Sequence, residues 1–322
     1  MTRYVLGRLL ESLVVLALMS FLIYAVIGLM PGDPIDVMVQ ADPNLTPADA
    51  ARLKALYGLD RPILERYANW LAAAFEGDFG YSRVHARPVL EILGPRLLNT
   101  IYLIGLSLVV SLAVALPVGV LAALKPYGAR DYAINFAALA GISIPIFWLA
   151  LMLIYLFSVW WGLLPAGGMG TVGVDSLADS ARYLVLPVVT LSVASIGGFT
   201  RYMRASMLET MRLEFIRTAR AKGLDERRVV LKHALKNALI PVVTVLALSF
   251  GTLFSGALVT ETMFSYLGMG KLIYDSIMGN DYNLALVGLL FATLLVLVSN
   301  LLADLGYAWL DPRISYQGEG GS

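Results

Sequence analysis

Six stretches of this sequence are each apolar for about the length a helix needs to cross a bilayer. They run roughly over Leu9–Met30, Leu97–Ala123, Tyr132–Val159, Arg182–Tyr202, Leu239–Val259 and Asn283–Asp304. About 20 apolar residues suffice to span the hydrocarbon. Inside it, backbone polar groups must be satisfied by the chain itself, which favours helices. Composition agrees: 58% of the 322 residues are hydrophobic and 15% charged, where soluble domains hold about 45–50% and about 25%. The expected fold is all-α and integral to a membrane, with six transmembrane helices.

Charge sets the expected orientation. Lys and Arg in short loops resist translocation, so basic loops stay on the cytoplasmic side. Arg3 and Arg8 precede the first span, Lys125 and Arg130 lie between the second and third, ten Lys/Arg fall between Arg201 and Lys236, and Arg313 follows the last. The two later segments on the opposite side hold only Arg182 and Lys271. Both termini are therefore expected in the cytoplasm. A cleaved signal peptide would have an apolar region of about 7–15 residues and an Ala-x-Ala-like site. The first run is longer and no such site follows it, so it reads as an uncleaved span.

The expected division is residues 1–30 for the N-terminus and first span, 31–96 for an external loop domain, 97–310 for a five-helix core, and 311–322 for a cytoplasmic tail. Within the loop domain, Ala48–Tyr57 and Pro62–Phe75 read as short helices. Thr46-Pro47-Ala48-Asp49 is a helix start with Pro at the first helical position. From its residues alone the loop reads as a scaffold packed on the bundle.

The one strongly charged stretch of the second half is EFIRTARAKGLDERRVVLKHALKNALIP, Glu214–Pro241, within a polar loop over 203–238. Met203–Lys222 holds good helix formers and neither Gly nor Pro, and reads as one helical piece. Gly223 can take the left-handed conformation that closes a helix, and Asp225 can cap the next one. The expectation is a short helix, a sharp corner and a second helix entering the membrane.

This stretch resembles the cytoplasmic loop of ABC-importer permeases. RTARAKGL followed by KHALKNALIPV is similar to the peptide/nickel branch in particular. LYGLDRPILERYANWL with GDFGYS, and the ending DPRI, resemble its first, B-type subunit, which implies that the long first loop is a cap beside the site where a binding protein docks, the alternative to the scaffold. The likeness runs from Arg3 to about Ile314. Against the general pattern of the loop, only Ala219, Gly223 and Leu235 match. The resemblance implies a type I ABC-importer permease fold and a coupling helix docked in a groove of an ATPase subunit. It assigns that role to Glu214, Arg217, Thr218, Ala219, Arg220, Ala221, Lys222, Gly223 and Leu224. Small exposed residues, Ala219 and Ala221, would suit such a groove. The plain alternative is a basic loop that merely obeys the positive-inside rule. The implied partners are a second, homologous permease subunit, two ATPase subunits that hold ATP and Mg, and a periplasmic solute-binding protein. The implied place is the bacterial inner membrane.

This chain carries no ATP site of its own. Gly268-Met269-Gly270-Lys271 is the nearest approach to a phosphate loop, but Ser265 and Leu272 occupy the first Gly and the Ser/Thr positions. No cysteine is present, and His85 and His233 are the two histidines. Neither has companions at metal-ligand spacing, so no cofactor or metal is expected, and no catalytic residue. Buried ionisable groups mark ion- or proton-coupled carriers. The spans read as nearly free of them, which suits a pathway powered from outside the membrane. Ser192, Ser195, Ser249, Thr252 and Ser255 are candidate pathway lining, or else hydrogen bonds between spans. The function expected is import of di-/oligopeptides or a related small solute delivered by a binding protein. The alternative is an ATP-independent channel or secondary carrier.

Overall fold

The computed structural model describes residues 2–29, 46–56 and 60–310. The chain divides into two compact units, one of residues 1–99 and 268–297, the other of residues 100–267 and 298–322.

The first unit begins with α1, Thr2–Gly28. Two short helices follow, α2 (Pro47–Leu56) and α3 (Ile63–Phe75), within one residue of the starts and ends expected. Pro47 does open α2. Thr46 donates to Asp49 Oδ2 from its amide at 3.0 Å and its hydroxyl at 2.6 Å, and the Asp49 amide returns a bond to Thr46 Oγ1. This reciprocal cap holds the Asp49 carboxyl below its ordinary range, the Thr46 hydroxyl being the main cause. Helix α3 lies on α1. Ser20 Oγ meets Tyr67 Oη at 2.6 Å, and Tyr67 makes ring contacts with Phe21, Tyr24 and Trp70. Ile23, Ile27, Ala285, Leu286 and Leu290 form the apolar core beneath.

A feature absent from the all-helical expectation follows: a tight hairpin of β1 (Tyr81–Ser82) and β2 (Arg87–Pro88), antiparallel, with Tyr81 opposite Pro88. Its turn is held by buried Asp281, which accepts from Ser82 Oγ at 2.5 Å and from the amides of Arg83 and Val84. Asp281 lies between α12 (Met269–Met278) and α13 (Tyr282–Leu310).

The second unit contains most of α4 (Val89–Leu124), then α5 (Ala129–Ser143) and α6 (Ile146–Leu153) with a π-helical continuation over Ile154–Trp160. Next come α7 (Leu177–Thr210) and α8 (Glu214–Ala221). The one-turn α9 (Glu226–Arg228) passes through a π-helical stretch, Val229–Ala234, into α10 (Leu235–Leu248) and α11 (Phe250–Met263). Helices α5 and α7 approach closely through glycine. A Cβ on Gly197 would lie 2.4 Å from the Ala138 carbonyl oxygen, and one on Gly141 would lie 3.1 Å from that of Val193. Small residues let membrane helices pack by close van der Waals contact, where burial from water supplies no drive. Ser192 Oγ donates to the Ser107 carbonyl at 3.0 Å, joining α7 to α4.

Among the described residues, four helices are long and apolar enough to cross a membrane: Leu6–Gly28, Val89–Leu124, Leu177–Thr210 and Tyr282–Leu302. The expected third span is not one helix. It breaks at Ile144–Pro145, and its halves meet at 99°. Pro145 removes a backbone donor and its ring clashes with the preceding turn, and Ile144 beside it is extended, with ψ 123°. The expected fifth span is also divided, into α10 and α11 of 14 residues each, with Ser249 between them.

A third break falls inside Met203–Lys222, read above as one helical piece. Leu213 is extended, with ψ 148°, between α7 and α8. The reason lies in packing. Met207 and Ile216 are both fully buried, yet nine residues at 100° each would place them on opposite sides of an unbroken helix. The turn brings Ile216 back inward.

Candidate coupling surface and buried polar sites

Helix α8 ends in the corner expected of Gly223. The Leu224 amide donates to the Ala219 carbonyl and the Gly223 amide to that of Arg220 at 2.9 Å, the paired bonds of a Schellman closure. Gly223 sits at φ +74°, and a Cβ there would meet no atom within 4 Å. Its requirement is thus conformational rather than spatial. Asp225 then caps α9, accepting from the Arg227 amide at 3.2 Å. Across the corner, Arg220 Nη2 and Nε reach both oxygens of Glu226 at 2.6 and 3.0 Å. That bond holds the Glu226 carboxyl below the usual glutamate range and raises the Arg220 guanidinium.

The helix has two faces. Ile216 and Ala219, three apart, are buried on the inner one. Glu214, Arg217, Thr218, Arg220, Ala221 and Lys222 are exposed, as is Phe215 at 41%. Ala219, expected to be exposed, is therefore corrected to the inner face, and of the two small residues only Ala221 points outward. The outer face carries an apolar ring among charges, with Arg217 Nη1 bonded to Glu214 at 2.7 Å.

The serine candidates part company. Ser195 and Ser249 line one cleft of about 260 Å³ with Ile146, Leu191, Tyr202 and Gly256. Ser192 is buried against α4 and does not face it. Ser255 is exposed and outside the cleft lining. The side chain of Thr252 lies outside the described residues. The tail from Asp311, including Arg313, is outside them too.

Among the described residues three carboxylates are buried, each within two residues of a stretch expected to span. Asp131, in the first turn of α5, is 1% exposed and accepts from Arg204 Nε and Nη2, Asn135 Nδ2 and the Tyr127 amide. Glu261 in α11 is fully buried and accepts from Thr100 Oγ1 at 2.5 Å. Asp281 is the hairpin anchor. Glu261 falls two residues beyond the expected end of the fifth span. His233 is half-buried in the π-helical stretch, and His85 is exposed on the hairpin turn.

The chain carries two adjoining family signatures. Residues 115–316 match the model described as binding-protein-dependent transport system inner membrane component, and residues 1–103 match that of its N-terminal part. It is 39% identical over 318 residues to the oligopeptide transport system permease protein AppB of Bacillus subtilis (strain 168), covering 98% of this chain and 100% of that one. To the dipeptide transport system permease protein DppB of Escherichia coli (strain K12) it is 36% identical over 320 residues, covering 92% and 94%. The inward-facing MetNI methionine ABC transporter shares its fold at TM-score 0.56 and 20% identity, over 69% of this chain and 97% of that one. Apolar spans, a short amphipathic helix closed by a glycine corner, and near full-length likeness to peptide permeases place the chain in the family of binding-protein-dependent transport system inner membrane components.

Proposed function

We propose that this chain is the first permease subunit of an ABC importer that moves di-/oligopeptides, or a related small solute, into the cytoplasm. The observation that carries the coupling part is α8: a short helix with one buried face, fixed at its end by Gly223 and braced by the Arg220–Glu226 bond. Its outer residues, from Glu214 through Lys222, meet the ATPase. ATP binding closes the ATPase dimer and moves α8, and the corner passes that motion to α10. ATP and Mg belong to the ATPase subunits. A second permease completes the pathway, and a periplasmic binding protein delivers solute.

In this arrangement the chain crosses the inner membrane six times, counting the bent pair and the divided α10–α11 as spans. Both termini are cytoplasmic, and the α2–α3–hairpin segment is external. Ser195 and Ser249, which share the cleft between α7 and α10, are the lining candidates that the geometry favours. The relatives carry the importer reading. A gentle pull-down from native membranes tests it. Recovery of a second permease with ATPases bearing phosphate loops is expected. Recovery of this chain alone, still moving solute in ATP-depleted vesicles, would overturn it in favour of the carrier.

A further inference from the structure

We infer that the groove between the end of α4 and the π-helical stretch binds an anionic phospholipid. The groove has a volume of about 550 Å³, and Leu116, Leu121, Leu124, Val230, Leu231 and Leu239 furnish its walls. Leu121 is 44% exposed, Leu124 38% and Leu231 52%. At 1.5 Å per residue, Leu116 to Leu124 spans about 12 Å, the length of a substantial part of an acyl chain.

Charge at the groove mouth selects the occupant. Glu226 and Arg227 are the two charged residues of its lining. Arg130 Nη2 donates to the carbonyl of Leu121 at 2.6 Å, which leaves further guanidinium N–H groups for an anion. The lining acid Glu226 is engaged by Arg220, and Asp131, next to Arg130 in sequence, by Arg204. With Glu226 neutralised by Arg220, Arg227 in the lining and Arg130 against the Leu121 carbonyl leave a positive balance beside an apolar slot. The apolar face of a partner helix has no need of two guanidiniums there. A phosphate with an attached acyl chain does, because basic pockets between helices at the cytoplasmic face take anionic headgroups. The π-helical turn widens the helix at Val229–Ala234 and forms one wall, and such turns often occur at functional sites. The inference rests on the proposed orientation only for which leaflet supplies the lipid.

The assembled transporter, in nanodiscs of phosphatidylcholine, is photolabelled with phosphatidylglycerol or phosphatidylcholine carrying a diazirine in the acyl chain. Label mapped to 116–124 and 230–239 is expected to be at least about fivefold greater with the phosphatidylglycerol probe. Arg227→Gln should lower it about fivefold, Arg227→Lys should preserve much of it, and Leu231→Trp should block both probes by filling the slot. Equal labelling by the two probes in the wild type would mean ordinary annular lipid and overturn the site. So would a photo-crosslinker at Leu231 that captures the second permease in place of lipid. Labelling is read without transport, so its failure is separate from failure of the importer reading.

Discussion

Arg204 grips both carboxylate oxygens of Asp131, from Nε at 2.5 Å and Nη2 at 2.6 Å, across 73 residues of sequence. Asp131 is 1% exposed on its side chain and Arg204 20%. The pair ties the start of α5 to α7, six residues before α7 gives way to the turn that leads into α8. Such a pair is not strong evidence of net stability, because desolvation offsets most of the attraction. Removing one member is different, since it strands the other charge in a buried site. Arg204→Gln is expected to destabilise the assembly by about 3–5 kcal/mol. Asp131→Asn with Arg204→Gln should cost less than Arg204→Gln alone. Thermal inactivation of the purified complex measures both, and a double variant worse than the single one would deny that the pair is coupled.

Gly223 holds a left-handed backbone that a Cβ disfavours by about 1–2 kcal/mol. Gly223→Asn, which tolerates that conformation, should retain most uptake. Gly223→Pro requires φ near −65° against the observed +74°, so the corner must open. Membrane insertion should persist while ATP hydrolysis proceeds without matching uptake. Uptake at the wild-type rate in the proline variant would deny the corner a coupling role.

The brace across that corner has a defined pH dependence. Glu226 is lowered from an ordinary value of 4.5 by Arg220. Its contribution is therefore complete above that value and disappears as pH falls through the lower, folded one. Side-chain exposures of 42% and 55% keep it small. Hydrogen exchange of peptides covering 214–235 should, after correction for intrinsic rates, stay flat from pH 8 to 5 and quicken only below about 4.5. Arg220→Gln should abolish that onset, because without the bond Glu226 binds its proton equally in the closed and the open corner. An onset unaltered by this substitution would assign the behaviour to other carboxylates.

Neighbouring glycines in α7 differ sharply. A Cβ on Gly197 collides with the Ala138 carbonyl at 2.4 Å, whereas one on Gly198 meets nothing within 4 Å. Gly197→Ala should reduce the yield of folded complex, at a cost of about 1–3 kcal/mol for overpacking, and Gly198→Ala should leave the yield unchanged. Detergent-resistant recovery by size-exclusion chromatography compares them. Equal yields would mean that α5 and α7 can separate at little cost.

Local chemistry was legible in the sequence, and distant pairing was not. The Thr46–Asp49 cap, the Gly223 corner and the Asp225 cap are each set within a few residues, by side-chain oxygens and one missing Cβ. The Asp131–Arg204 pair is set by the crossing of two helices, and each member alone reads as a loop charge on the cytoplasmic side. Pro145 stands in the sequence as a helix breaker, but the 99° extent of the bend depends on what packs beside it. The break at Leu213 has neither glycine nor proline to announce it. Only the need to bury both Met207 and Ile216 produces it, and nothing in the sequence identifies Ile216 as buried.

The two π-helical turns carry a consequence for anyone who reads faces from this sequence. A residue inserted into a helix rotates everything beyond it by about 100°, since 3.6 residues make one turn. Positions after Val229–Ala234 are therefore out of phase with those before it. A stripe drawn at regular spacing from Glu226 onto α10 lands on the wrong side. Deleting one residue within the turn, with no side chain of α10 altered, would swing Ser249 away from the cleft it shares with Ser195. Chain length between corner and cleft, as much as residue identity, is an inherited constraint on this subunit.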